Sequence, residues 1–198
     1  MTGHRSNQGS DKSHRLREVA LELFARQGFE ATTIDDLVVA ADCGKGTFYR
    51  YFPNKEALLD QLLEDHFARL GDAIEQAVTA NRPLPDKLLA ASRAYVAVAR
   101  HDRHLLRILE EVKVRMCHDL EQKLFRALTP QYVLLCSAIE AEIAAGRFRP
   151  LAPSLFLLAL LGALHMLLFR EIRLGRKATD SDLKQVLSIM LQGAMTTP

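Results

Sequence analysis

The sequence predicts an all-α fold: an N-terminal three-helix domain joined by a long helix to a larger helical domain. Three observations predict it. Apolar residues recur at i, i+3, i+4 and i+7 through the long segments, the spacing of a buried helix face. No stretch alternates apolar and polar residues as a half-buried strand does. Glycine, proline and asparagine fall between the periodic segments, where they end one helix or start the next. With 198 residues, 48% of them hydrophobic, the chain is long enough to bury one or two cores.

Residues 1–13 are polar, contain glycine and serine, and are expected to form a flexible basic arm. Helix 14–27 follows, with Leu16, Val19, Ala20, Leu23 and Phe24 on one face and Gly28 as its C-terminal cap before the apolar Phe29. Thr33 is the natural N-cap of a second, short helix, and Asp36 three positions on completes a variant of the capping box. Ile34, Leu37, Val38 and Ala41 give that helix its apolar face. Asp42-Cys43-Gly44 supplies a turn, and a third helix runs from Lys45 to Phe52, where Pro53 stops it. Leu23, Phe24, Leu37, Phe48 and Phe52 are the expected core of this domain, residues 14–60. Asn54 caps a long fourth helix reaching about residue 80, and the Asn81-Arg82-Pro83-Leu84-Pro85 segment after it is the clearest boundary in the chain. A helix shared by both domains can transmit movement between them. Beyond it, helical segments are expected at 86–100, 103–117, 118–145, 154–174 and 180–193, with a kink at Thr129-Pro130. Residues 61–198 form the second domain.

Two short helices joined by a tight turn, with basic and hydroxyl residues on the second, are the arrangement that places a helix in the major groove of DNA. With Phe48 at the buried centre of the third helix, Gly46 and Arg50 point outward and Thr47 and Tyr49 flank them. Gly46 weakens a helix by about 1 kcal/mol against alanine, so its presence on an exposed face points to close approach of a partner to the backbone. Arg50 can pair bidentately with guanine, Thr47 can touch a thymine methyl or a phosphate, and Lys45 can neutralise phosphate. A solvated basic face is the bland alternative; the capped helix, the turn, Gly46 and the Pro53-Asn54-Lys55 exit together weigh against it.

The residues resemble the helix-turn-helix of TetR-type regulators. The resemblance rests on Gly28-Phe29, Thr32-Thr33-Ile34, Lys45-Gly46-Thr47-Phe48-Tyr49 and Tyr51-Phe52-Pro53-Asn54-Lys55. It is specific over residues 14–60 and architectural beyond. It implies phosphate contacts from Thr33, Tyr51 and Lys55, and groove contacts from Lys45, Thr47, Tyr49 and Arg50. Three residues depart from the pattern: Asp42 where glycine is usual, Cys43 where an aliphatic is usual, and Gly44 where serine or threonine caps the recognition helix. Asp tolerates a left-handed backbone, Cys is a small hydrophobe and Gly is an acceptable cap.

Net charge is only +2, yet residues 44–55 carry Lys45, Arg50 and Lys55 and no acid. A local basic surface on a nearly neutral chain suits selective DNA binding. Cys43, Cys117 and Cys136 have no metal or redox spacing, and an odd count without a secretory signal predicts a reducing cytoplasm. The apolar run 155–169 falls short of the roughly 18–20 residues a bilayer needs, so no membrane span is expected. A helix apolar nearly all round is buried on two sides, one of which can face a second copy. With Leu183, Val186, Leu187, Met190 and Leu191 this predicts a homodimer through the last two long helices, as similar regulators form.

The resemblance also implies that the second domain binds a small-molecule effector. Its expected lining is Tyr95, Leu105, Leu109, Phe125, Tyr132, Met166 and Phe169, with Arg107, Glu110, Arg115, His118 and His165 as orienting groups. Few polar groups in an apolar cavity favour a lipophilic or aromatic ligand. No phosphate-cradling glycine loop, nucleophile elbow or zinc-protease helix is present. His101 and His104 have helical metal-ligand spacing but sit in a charged turn, and neither a metal nor a cofactor is expected. The expectation is therefore a regulator, repressor rather than activator, bound to an inverted-repeat operator in double-stranded DNA. The alternative is a helical interaction or ligand-binding module without DNA-binding activity.

Overall fold

The computed structural model describes the backbone of residues 5–112 and 117–195, and the side chains of residues 11–108, 122–123 and 126–195. The described residues form helices α1 (Arg5–Gln27), α2 (Ile34–Ala40), α3 (Lys45–Tyr51), α4 (Lys55–Thr79), α5 (Leu84–His101), α6 (Arg103–Val112), α7 (Cys117–Ala144), α8 (Pro153–Leu174) and α9 (Asp180–Ala194). The one β-type pairing among them is an isolated antiparallel bridge between Phe148 and Met195. Two compact units emerge, Met1–His66 with Asp102–Glu121 and Phe67–His101 with Gln122–Pro198.

The first unit is built on local signals. Gly28 adopts φ +90° and donates its N–H to the Phe24 carbonyl, ending α1. The chain then turns so that the Phe29 ring meets Phe24 edge-on at 5.0 Å. At α2 the Thr33 hydroxyl accepts from the Asp36 N–H at 3.2 Å, while the Asp36 carboxylate accepts from the Thr33 N–H at 2.9 Å. Such a cap stabilises a helix by about 1 kcal/mol. Leu16, Phe24, Leu37, Phe48, Phe52, Leu58 and Leu59 close the core. Arg17 of α1 ties to Asp65 at 3.0 Å and Gln61 at 2.9 Å on α4.

Two expectations shift here. The helical backbone of α1 begins at Arg5, so residues 5–13 extend the helix where a flexible arm was expected. And α6 packs on α1, which brings it into the first unit although the expected boundary lay at residue 60. Its Leu105 and Ile108 are fully buried there, so Leu105 serves this core and lines no cavity in the second unit. Also in the first unit, His66 and Asp102 form a buried pair at 2.6 Å.

In the second unit α5, α8 and α9 pack together. Two arginines of α5 fasten them: Arg93 grips Asp180 bidentately at 2.6 and 3.0 Å, and Arg100 grips Glu171 at 3.1 and 2.9 Å and also donates to the Ala178 carbonyl. A second capping box, Thr179 with Asp182, starts α9. Helix α7 continues through Pro130. Gly71 of α4 faces α7 so closely that a Cβ would lie 2.8 Å from the Ala127 carbonyl oxygen, so its lack of a side chain sets the α4–α7 approach in this unit.

Helix α8 spans 22 residues and is long and apolar enough to cross a bilayer by length and composition alone. The length argument made for residues 155–169 therefore does not hold for the whole helix. What distinguishes α8 is its two-sided character. Phe156, Leu157, Leu160, Leu164 and Leu168 are buried, whereas Leu155, Leu158, Met166 and Phe169 are exposed.

Candidate DNA-binding surface and effector cavity

The turn between α2 and α3 has the hydrogen bonds of a Schellman motif. Cys43 N–H reaches the Val38 carbonyl at 2.9 Å and Asp42 N–H the Val39 carbonyl at 3.2 Å, with Asp42 at φ +49°. A left-handed residue is required at that position, which explains why glycine is usual there and why aspartate, unlike a β-branched residue, is tolerated. Burial pushes the Cys43 thiol above its usual range, so it acts as a small apolar contact. Lys12 of α1 bears electrostatically on that thiol, which places a basic residue of α1 near the turn.

Helix α3 starts at Gly44 without a side-chain cap. Its fully buried Phe48 and the following Phe52 anchor one side, and this fixes what the other side presents. Lys45, Gly46, Tyr49 and Arg50 are exposed and Thr47 is half-buried. Tyr49, 54% exposed, stands edge-on to Phe48 at 5.5 Å, so its outward direction is set by the core. Arg50 rests on Tyr51, with its guanidinium 4.8 Å from the ring centroid and Nη2 donating to the tyrosine hydroxyl at 2.8 Å. A Cβ on Gly46 would meet nothing within 4 Å, so the space beside its backbone is open. Lys45 pairs with Asp35 of α2 at 2.8 Å, and that carboxylate raises the lysine's pKa. Both partners are exposed, so the pair contributes little stability, but it holds the ammonium at the mouth of α3.

Two expected contact residues are committed to the fold. The Thr33 hydroxyl donates to Asp36 at 2.7 Å while also accepting from the Asp36 N–H, so the capping box uses it. Lys55 donates to the carbonyls of Phe29, Glu30 and Thr32 at 2.9, 3.2 and 3.1 Å, and its ammonium stands 4.6 Å from the Phe29 ring centroid. An ammonium has three donors, and all three close the α1–α2 turn.

The second unit holds a cavity of about 110 Å³ lined from the unit's own helices: Ile74; Leu88, Ala91, Ser92 and Tyr95; Leu128, Gln131, Tyr132 and Leu135; Leu157, Leu160, Leu161 and Leu164. Of the expected effector residues, Tyr95 and Tyr132 belong to it. His165 and Phe169 do not, and Met166 is absent from the lining too: they sit on the exposed side of α8, because the register that buries Leu157, Leu160 and Leu164 turns them away. Leu109, Glu110, Arg115, His118 and Phe125 lie outside the described side chains. Burial pushes the Tyr95 phenol up to about 12, so it is a neutral hydrogen-bonding group at any physiological pH. Leu88, Ala91, Ser92 and Tyr95 follow the i, i+3, i+4, i+7 spacing, a signal readable in the sequence; Gln131 had no such marker. Among the described residues, no group of three or more His, Cys, Asp or Glu side chains is placed to hold a metal ion.

Residues 16–62 match the family described as bacterial regulatory proteins, tetR family. The HTH-type transcriptional repressor KstR2 of Rhodococcus jostii (strain RHA1) is 28% identical, over 98% of this chain and 97% of its own length. Two solved structures share the fold. A TetR family transcription regulator from Marinobacter aquaeolei VT8 has a TM-score of 0.75 at 18% identity, covering 97% of this chain and 100% of that one. The fatty acid degradation regulator FadR from Bacillus halodurans has a TM-score of 0.75 at 22% identity, covering 92% and 95%. The matched segment runs from α1 into α4, the helices that build the exposed face of α3, so residues 16–62 carry the DNA-binding domain of the tetR family of bacterial regulatory proteins, and the chain is a DNA-binding regulator of transcription.

Proposed function

We propose that two copies of this chain bind an inverted-repeat operator as a repressor, and that a small apolar ligand in the second unit changes operator affinity. The carrying observation is α3: a helix pinned by buried Phe48 that presents Lys45, Gly46, Thr47, Tyr49 and Arg50 together on its open side. Arg50 is the base reader, because its planar fork suits guanine O6 and N7. Tyr51 orients that fork in the free protein and can pass its hydroxyl to a phosphate when Arg50 moves to a base. Lys45 contributes charge to the backbone, and Gly46 lets the DNA approach the start of the helix.

The dimer is supported by the outer face of α8 and α9, where Leu155 (65% exposed), Leu158, Met166, Phe169 and Ile189 form apolar surface that water alone would cover. A two-fold dimer places its recognition helices about 34–36 Å apart, or a multiple of that, which demands a palindromic site. The relative named as a repressor supports that sign of regulation.

Capture of genomic fragments at about 150 mM salt, where non-specific phosphate binding is weak, tests this. Wild-type protein is expected to enrich a palindromic sequence that an Arg50→Ala/Lys45→Ala double variant does not. Equal enrichment by both proteins, or none by a wild-type protein tested with and without added apolar ligands, would remove α3 as the DNA reader.

A further inference from the structure

The effector cavity contains a polar group with nothing to bind. Gln131 is 4% exposed, and its Oε1 is buried without a hydrogen-bond partner. A buried acceptor in that condition is costly unless something satisfies it. It lies near α4, where a Cβ on Gly71 would be in ordinary contact with Gln131, 3.8 Å from its Nε2. The same cavity is walled by leucines such as Leu88, Leu128 and Leu164, and Tyr95 is among its lining residues. None of the described lining residues carries a charge.

We infer that the cavity selects a small neutral ligand with an apolar body and a hydroxyl or N–H donor that satisfies Gln131. This rests on the effector reading above and narrows it. Three physical terms set the class. The described wall has no cation, so a carboxylate or phosphate would find no counter-charge among these residues and is disfavoured. The volume, about 110 Å³, is below the 150 Å³ cavity that accommodates benzene, so the enclosed part is of the order of one small ring or a short alkyl segment. A ligand without a donor leaves Oε1 as unsatisfied as before, whereas a hydroxyl can donate to Gln131 and accept from Tyr95 at once.

Phenol, toluene and benzoate form a matched set of probes, and titration calorimetry on the full-length protein reads all three. A purely apolar cavity prefers toluene, because phenol loses its hydration without recompense. Wild-type protein is expected to bind phenol about two- to tenfold more tightly than toluene, the factor one net hydrogen bond gives, and not to bind benzoate. Gln131→Leu keeps the volume and removes the acceptor; it is expected to raise Tm in the ligand-free protein and to reverse the preference to toluene. Tyr95→Phe is a second variant, expected to weaken phenol while leaving toluene unchanged. Toluene bound as tightly as phenol by the wild type, a phenol preference that survives Gln131→Leu, or no binding of either probe would overturn the inference. Operator affinity measured with phenol present is a separate readout. Phenol held through Gln131 with no effect on DNA binding would leave the cavity's selectivity standing and remove its regulatory role.

Discussion

Replacing Lys55 with methionine separates two roles for one residue. By resemblance, Lys55 is a phosphate ligand, whereas its geometry makes it the clasp of the α1–α2 turn. Methionine keeps the unbranched stem over Phe29 and removes the charge and all three donors. The Glu30 carbonyl is exposed and re-hydrates at little cost, but the bonds to Phe29 and Thr32 are part-buried and belong to residues with 5% and 0% exposure. Each of those two acceptors loses about 1 kcal/mol after discounting for partial exposure, and loss of the cation over the ring costs about 0.5 kcal/mol more. The total, about 2–3 kcal/mol, corresponds to a fall in Tm of about 4–12 °C for a chain of this size. Thermal unfolding followed by circular dichroism gives that number. Operator affinity by fluorescence anisotropy, taken well below the melt across a salt series, gives the other. Loss of a phosphate contact would flatten the slope of log K against log salt by about 0.9; a clasp leaves the slope unchanged. A variant with wild-type Tm and a flattened slope would refute the structural role.

Gly46→Ala is expected to keep or raise Tm, by up to about 1 kcal/mol of helix propensity, because its Cβ has open space; operator affinity should nevertheless drop, and unchanged binding in a gel-shift titration would mean that no partner approaches that backbone. Leu158→Arg on the outer face of α8 (63% exposed) should yield a folded monomer by sedimentation, since the free chain has no neighbour there to clash with; an intact dimer would place the interface elsewhere. Glu171, held below the usual carboxylate range by the Arg100 guanidinium, predicts acid sensitivity. A carboxylate whose folded pKa is depressed contributes stability that is present above its unfolded pKa and lost as pH falls through the folded value, so Tm should be level near neutrality and decline below about pH 4. Glu171→Gln should lower the neutral Tm and shrink that decline, and an undiminished decline would assign the acid loss to Asp36, Asp180 and Asp182, whose pKa values are lowered too.

The DNA-reading unit was legible because its instructions are short. The Thr33–Asp36 box, the Gly28 cap, the Asn54 cap, which accepts from the Ala57 N–H at 2.7 Å, and the left-handed Asp42 are each decided within about five residues of chain. A periodic helix face then fixed which side of α3 is open. Lys55 was legible as a residue but not as a clasp, since its partners lie some twenty-five positions earlier in the chain and only the folded turn brings three carbonyls to one ammonium. The extension of α1 to Arg5 was obscured for the opposite reason: Gly9 and Ser10 are weak helix formers, and local propensity argued against what the fold adopts.

The cavity proposed for the effector shows a different kind of limit. A helix that is apolar on one side carries its own phase, because the polar stripe says where water is. Helix α8 has leucines on nearly every side, so its sequence contains no phase, and His165 and Phe169 could be assigned to the interior as easily as Leu160 and Leu164. The phase is supplied by what packs against it, the leucine side taken by the unit's own helices and the other left outward. An exposed apolar face of this kind is what the proposed homodimer would bury. The residues that made α8 ambiguous as a sequence are thus the ones that divide its surface into a cavity wall and the face proposed for a second copy. This is why Leu158→Arg and Gln131→Leu should separate assembly from ligand selection: the first should abolish the dimer and leave the phenol preference, and the second should do the reverse.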